Sequence, residues 1–212
     1  MLMTEKWKNK RVCCMGDSLT QAGVWTERLS QNLGCRVYRH CKGGLKMREI
    51  VDGGVGAEGV LPPLSASVLA EMDLVIFFAG YNDRVDTDAA AALQYCIDII
   101  YDRLEEAGNL ACRILIATPH CVGKYSYIDA DGYEEYPPGS GRSLKKMAEI
   151  MEAVAADNSI PVCNLWKTSG INRRTWCVYG AVPGEDMVHC SDKGYELIGD
   201  VISGAVVRSF GG

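Results

Sequence analysis

The sequence predicts an α/β protein in three layers, with a mainly parallel five-stranded sheet between two layers of helices. Three observations carry this prediction. Short apolar runs of strand length alternate with longer segments in which apolar residues recur every three or four positions. The strongest run, Asp73 to Gly80, is nearly continuous in Leu, Val, Ile and Phe, as a strand covered on both faces requires. Polar turns follow directly where the strong runs stop, and strands alternating with helices imply right-handed crossovers and a parallel sheet. At 212 residues the chain has the length of one domain with a full core, so residues 1–212 are expected to form a single domain.

Taken in order, the first run is Arg11 to Met15, which ends abruptly at Gly16-Asp17-Ser18. Gly23 to Leu33 carries Val24, Leu29 and Leu33 at helical spacing, with Gly34 as its C-cap. Cys35 to Cys41 alternates around Val37 and is more polar, which suits a strand nearer the sheet edge. Lys42-Gly43-Gly44-Leu45 interrupts it, and Gly53 to Pro63, rich in glycine and proline, reads as a loop.

After Asp73 to Gly80 comes the turn Gly80-Tyr81-Asn82-Asp83. The segment Thr87 to Ala107 then places Leu93, Ile97, Ile100 and Leu104 on one helical face, and Gly108 ends it. Arg113 to Pro119 is a fourth strand, Leu144 to Ala155 a helix, and Ile160 to Trp166 a fifth strand. Lys167 to Glu185 has no clear period, although Trp176 to Tyr179 suits a short extended piece. Ser191 is positioned to cap a last helix carrying Tyr195, Ile198, Ile202 and Val206. The connector His120 to Arg142 holds Tyr125, Tyr127, Tyr133 and Tyr136, a composition fit for a specificity loop around a substrate.

Composition narrows the function. With 22 Lys+Arg against 27 Asp+Glu the formal charge is −5, and basic residues are scattered, which argues against a nucleic-acid binder or a protein held to anionic membrane by its overall field. No apolar run approaches the length of a membrane span, and the N-terminus lacks the apolar core of a signal peptide, so a cytoplasmic location is expected. Many of the ten cysteines lie inside apolar periodic segments, as small buried hydrophobes do, so thiols in a reducing compartment are the simpler expectation than disulfides. The groups Cys35/His40/Cys41, His120/Cys121 and His189/Cys190 lack the paired spacing of a structural zinc site, so no metal is expected.

Ser18, at a turn directly after a buried strand, sits where open α/β folds gather their ligands. Ester cleavage through a serine needs a base for its proton, an acid that orients the base, and donors for the oxyanion. Asp186 and His189, three apart in the loop before the last helix, can supply acid and base. The backbone N–H of Ser18, the N–H of Gly44 and the side-chain amide of Asn82 can supply donors. Gly43 is a rival for Gly44, and His40 and His120 are rivals for the base, although neither has an acid at comparable spacing.

Gly16-Asp17-Ser18-Leu19, Gly44, Gly80-x-Asn82-Asp83 and Asp186-x-x-His189 together resemble the four ordered signature blocks of the SGNH hydrolase superfamily, the GDSL-type esterases and lipases. The resemblance runs from residue 11 to about 200. It implies Ser18 as nucleophile, His189 as base, Asp186 as orienting acid, and Ser18, Gly44 and Asn82 as the oxyanion hole. It also implies a flavodoxin-like sandwich and neither metal nor cofactor. The absence of a large apolar lid and the aromatic, polar loop from His120 to Arg142 point to a small-molecule ester with a short acyl group such as acetyl on a sugar; a lysophospholipid or thioester substrate, acyl transfer to an alcohol, and a non-catalytic flavodoxin-like binding domain are the alternatives. Two departures stand out: Cys190 follows the histidine where relatives commonly have Pro, and Lys42, Gly43 and Lys46 replace small polar residues around Gly44.

Overall fold

Val12, Cys13, Cys14 and Met15 are all fully buried and alternate between two cores: Cys13 and Met15 enter one, Val12 and Cys14 the other. A strand covered on both faces must do this, because successive side chains point to opposite sides. That strand is β1 (Arg11–Gly16), followed by α1 (Ser18–Gln21), α2 (Val24–Leu33), β2 (Arg36–Cys41) and α3 (Met47–Asp52). A hairpin of β3 (Gly54–Gly56) and β4 (Gly59–Leu61) then leads through α4 (Ala66–Leu69) to β5 (Leu74–Phe78). A 3-10 turn (Asn82–Val85), α5 (Ala89–Glu106), β6 (Arg113–Ala117) and α6 (Leu144–Asp157) come next. The last elements are β7 (Val162–Cys163), α7 (Leu165–Thr168), α8 (Trp176–Tyr179) and α9 (Asp192–Phe210). The computed structural model describes residues 5–85, 88–123, 143–181 and 186–211.

The main sheet has five parallel strands in the order β2-β1-β5-β6-β7. The chain leaves β1 for β2 on one side and returns across β1 to reach β5 on the other. Connections therefore diverge between the carboxyl ends of β1 and β5, and such a switch point opens a crevice for ligands in doubly wound sheets. In that register Gly16 lies opposite both Cys41 and Phe78, so the segments after β1, β2 and β5 leave the sheet at one level. The more polar β2 is an edge strand, as its sequence predicts.

Helices α3, α5 and α6 cover one face and α2 and α9 the other. On the α2/α9 side Trp25 meets Phe78 edge to face, with ring centroids 5.8 Å apart. Arg28 also pairs with Asp200 through Nε–Oδ1 at 2.6 Å, but this exposed ion pair is worth less than about 1 kcal/mol. Each fully buried Leu29, Ile198 or Ile202 contributes about 1.5–3 kcal/mol, so apolar burial holds this helix pair on the sheet.

Three expectations are corrected. The fifth strand is only Val162–Cys163, because the Asn164 side chain accepts the Lys167 N–H at 2.9 Å and starts α7 where the run Ile160 to Trp166 suggests a strand. Trp176–Tyr179 is a helical turn instead of an extended piece: Asn172 turns the chain by accepting the Trp176 N–H at 2.8 Å on its carbonyl oxygen. Within Gly53 to Pro63, read as a loop, Val55 pairs with Val60 in an antiparallel hairpin. Ser191 does cap α9, and Asp88 caps α5. Of the connector from His120 to Arg142, residues 124–142 lie outside the described residues, as does Thr87.

Candidate active site

Each residue of Gly16-Asp17-Ser18 has a separate physical task. A Cβ on Gly16 would fall 2.2 Å from both the Phe78 carbonyl oxygen and Thr20 Oγ1, so only glycine fits between β1 and β5. Asp17 caps the next turn, its Oδ1 accepting the Leu19 N–H at 2.9 Å. Ser18 is then the first helical residue, whose N–H has no intrahelical acceptor.

The hydroxyl of Ser18 lies 2.9 Å from His189 Nε2, and His189 Nδ1 lies 2.8 Å from Asp186 Oδ2. A carboxylate only accepts, so the proton resides on Nδ1 and Nε2 presents its lone pair to the serine. Asp186 Oδ1 accepts the N–H groups of Val188 and His189, both at 2.9 Å, so the tight turn that presents the imidazole also fixes its carboxylate. Partial burial acts to raise the Asp186 carboxyl, but these two backbone bonds and the imidazole outweigh it and hold it below the ordinary carboxylate range. The loop is anchored on both sides: Ala181 N–H donates to the His189 carbonyl at 2.9 Å and Ser191 N–H to that of Tyr179 at 2.8 Å.

On the other side of Ser18 lie Gly44 and Asn82. Gly44 has φ 83°, which a side chain rarely tolerates. Asn82 donates one amide proton to the Leu45 carbonyl oxygen at 2.9 Å and retains a second. Both oxygens of Asp83 lie 3.1 Å from the Met47 nitrogen, so the turn after β5 is bound twice to the segment after Gly44. Ser18, Gly44, Tyr81, Asn82, Arg84 and His189 line one open cleft of about 1310 Å³. Every sequence-predicted site residue, from Ser18 to Gly44, Asn82, Asp186 and His189, therefore meets at the switch point.

The rival residues are occupied elsewhere. His40 is buried, and its Nε2–H donates to the Ile50 carbonyl at 2.9 Å. His120 is fully buried, stacks on Trp176 and donates Nδ1–H to the Cys121 carbonyl at 2.7 Å; burial pulls it down to about 4. Cys190, in the place where relatives commonly have Pro, is buried, with Sγ 3.7 Å from His120 Nε2. The Gly43 N–H is bound by the side-chain oxygen of Gln21. Among the described residues no three His, Cys, Asp or Glu side chains are gathered as a metal site would need, and no helix is long and apolar enough to cross a membrane. All ten cysteines are thiols, most of them buried.

Sequence reading missed several cleft residues, among them Gln21, Glu58, Arg84 and Met187. Arg84 stacks on Tyr81, 5.1 Å from its ring centre, and its nearness to Asn82 was the available signal. Gln21 and Glu58 carry no local signal, because their importance comes from a contact across the fold.

Known proteins with this architecture include a protein from Lactobacillus plantarum (15% identity, TM-score 0.68), with 96% of this chain and 99% of that one covered. The lipase/acylhydrolase from Enterococcus faecalis is similar at 19% identity and TM-score 0.58, covering 93% of this chain and 95% of that one. The salicylyl-acyltransferase SsfX3 from a tetracycline biosynthetic pathway aligns at 13% identity and TM-score 0.63, covering 96% of this chain and 56% of that one. No match is found among curated proteins. The sequence model of the GDSL-like lipase/acylhydrolase family matches residues 14–197, a span that begins inside β1 before Ser18 and ends beyond His189. A serine hydroxyl facing an imidazole that a carboxylate orients, in a chain matched to that family over most of its length, makes this protein a member of the GDSL-like lipase/acylhydrolase family and a hydrolase of ester bonds.

Proposed function

We propose that Ser18, His189 and Asp186 hydrolyse a carboxylic ester through an acyl-enzyme. The observation that carries this reading is the continuous hydrogen-bonded chain from Ser18 Oγ through His189 to Asp186, at 2.9 and 2.8 Å. Ser18 Oγ attacks the ester carbonyl carbon while its proton passes to His189 Nε2, and the imidazolium is stabilised by the ionised Asp186. The resulting oxyanion is received by the N–H groups of Ser18 and Gly44 and the free amide proton of Asn82. Collapse expels the alkoxide, which takes the proton from His189. Water then attacks the acyl-Ser18 carbonyl, giving its proton to the same nitrogen, and the acid leaves as Ser18 is reprotonated.

The substrate we infer is a small acyl ester, such as an acetyl group on a carbohydrate, in a cytoplasmic setting. The Asn82 amide and the Arg84 guanidinium beside Tyr81 in an open cleft support a polar alcohol part. The thiol state of the cysteines supports a reducing compartment. Turnover of p-nitrophenyl acetate by the parent and its loss in Ser18→Ala, with an unchanged melting temperature, is the expected result. Full activity in that variant would end the proposal. Comparing acetylated sugars with longer acyl esters tests the substrate, and a preference for the longer chains would overturn the acetyl assignment.

A further inference from the structure

The glycine pair after β2 is held by a clamp that lies outside the serine, the histidine and the oxyanion donors. The peptide joining Lys42 to Gly43 gives its N–H to Gln21 Oε1. The next peptide, joining Gly43 to Gly44, has its carbonyl oxygen bound by the Ala57 N–H at 3.2 Å. Gln21 Nε2 in turn donates to Glu58 Oε2, beside Ala57 in the turn of the β3–β4 hairpin. Lys42 Nζ reaches the Glu58 carbonyl oxygen at 3.3 Å, which closes the ring of contacts. The hairpin sits so close that a Cβ on Gly56 would fall 2.4 Å from the Gly43 carbonyl oxygen.

Peptide planarity turns this clamp into a statement about catalysis. In a trans peptide the carbonyl and the following N–H point in opposite directions. With the Gly43 oxygen gripped by the hairpin, the Gly44 N–H of the same plane must point away from Ala57. It meets no acceptor among the described residues. The Gly43 N–H is already occupied by Gln21, so of the two glycines only Gly44 has a donor to offer. Gln21 is therefore fixed at both ends of its amide, one end on the loop and the other on the hairpin, three residues after Ser18 at the end of α1.

We propose that Gln21 is a positioning residue, which with the Ala57–Glu58 turn locks the Gly43–Gly44 loop so that the Gly44 N–H is aimed at the oxyanion before substrate arrives. This rests on the Ser18 acyl-enzyme reading above. Donors that are held in place cost no reorganisation when charge develops, which is where such preorganisation gains its rate. Gln21 lines the cleft, but both ends of its amide are engaged by the loop and the hairpin, so its loss should act on kcat far more than on KM.

The test is steady-state kinetics with p-nitrophenyl acetate on the full chain. Gln21→Ala is expected to lower kcat about 10- to 100-fold with KM within about 2-fold and an unchanged melting temperature. Gln21→Glu keeps the acceptor for Gly43 but sets a carboxylate against Glu58, so kcat should fall. Adding Glu58→Gln restores a donor–acceptor pair with the roles exchanged, and kcat should recover to within about 3-fold of the parent. If Gln21→Ala does not fold, Glu58→Ala on the exposed hairpin turn serves in its place and should lower kcat by a smaller factor. A kcat unchanged in both alanine variants, a rise in KM alone, or no recovery in the exchanged double variant would each overturn the assignment. Parent protein that fails to turn over the ester refutes the acyl-enzyme reading itself, whereas an active parent with indifferent Gln21 variants refutes only the clamp.

Discussion

Ser18 has a wet side and a dry side, and the two are built on opposite electrostatic terms. On the wet side Asp186 and His189 each have side chains 38% exposed, and three hydrogen bonds keep the Asp186 carboxylate ionised. On the dry side Asp17 and Asp83, both 1% exposed, are the chain neighbours of Ser18 and Asn82, the proposed oxyanion donors. Burial raises Asp17 to about 7, with Asp83 adding to the rise against the opposing bond from Leu19 N–H. Two aspartates near one serine thus differ because Asp186 accepts three bonds and meets water, whereas Asp17 is buried with its Oδ2 unbonded. The ionised carboxylate faces the imidazole, and the neutral acid of Asp17 caps the turn that carries Ser18.

The largest expected effects lie on the wet side, where the residues form one unit. Ser18→Ala or His189→Ala should each lower kcat by on the order of 10⁴ or more, and the double variant should lose little beyond either single one. Additive losses, read from steady-state kinetics, would show that the two do not act as a pair. Asp186→Asn should cost on the order of 10³ to 10⁴, because an amide can favour the tautomer that places the proton on Nε2, facing Ser18. A variant retaining parental kcat would mean that the backbone alone orients the imidazole.

On the dry side the donors share the load, so single losses are smaller. Asn82→Ala should lower kcat by on the order of 10² to 10³ with little change in KM. It also removes the bond to the Leu45 carbonyl, so the melting temperature must be followed alongside. A fall in stability with unchanged kcat would place Asn82 in the support of the loop instead of in the oxyanion hole.

The same contrast explains what the sequence could disclose. Asp186 and His189 are three residues apart and bonded within one turn, so local spacing announces them. Ser18 and Asn82 follow strong apolar runs, and burial on both faces made those runs legible from composition alone. The clamp was illegible because Gln21, Gly43 and Glu58 come together only when β2, α1 and the hairpin meet, and no periodicity records a contact across 22 or 37 residues. The pair at 43 and 44 could be ordered only once the partner of each peptide was known. Local capping likewise decided α7 over a longer fifth strand, since the bonds that Asn164 accepts from Lys167 and Thr168 outweighed an apolar run of strand character.

The smallest expected effect is a change of slope, and it isolates the dry side. The folded chain holds a proton on Asp17 up to a pH of about 7, whereas the unfolded carboxyl loses it near its ordinary value of 3.8. Between those values the native state binds the extra proton, so stability is fully present below about 4 and is lost as pH rises toward 7. One proton corresponds to about 1.4 kcal/mol per pH unit inside that window. Asp17→Asn retains a side-chain oxygen for the Leu19 N–H but cannot ionise. Its free energy of unfolding, measured by urea titration at pH 5, 6, 7 and 8, should therefore gain on the parent between 5 and 7 and run parallel to it above. A constant offset across that range, in either direction, would mean that Asp17 is ionised in the folded protein throughout, and the distinction between the two aspartates would then fail.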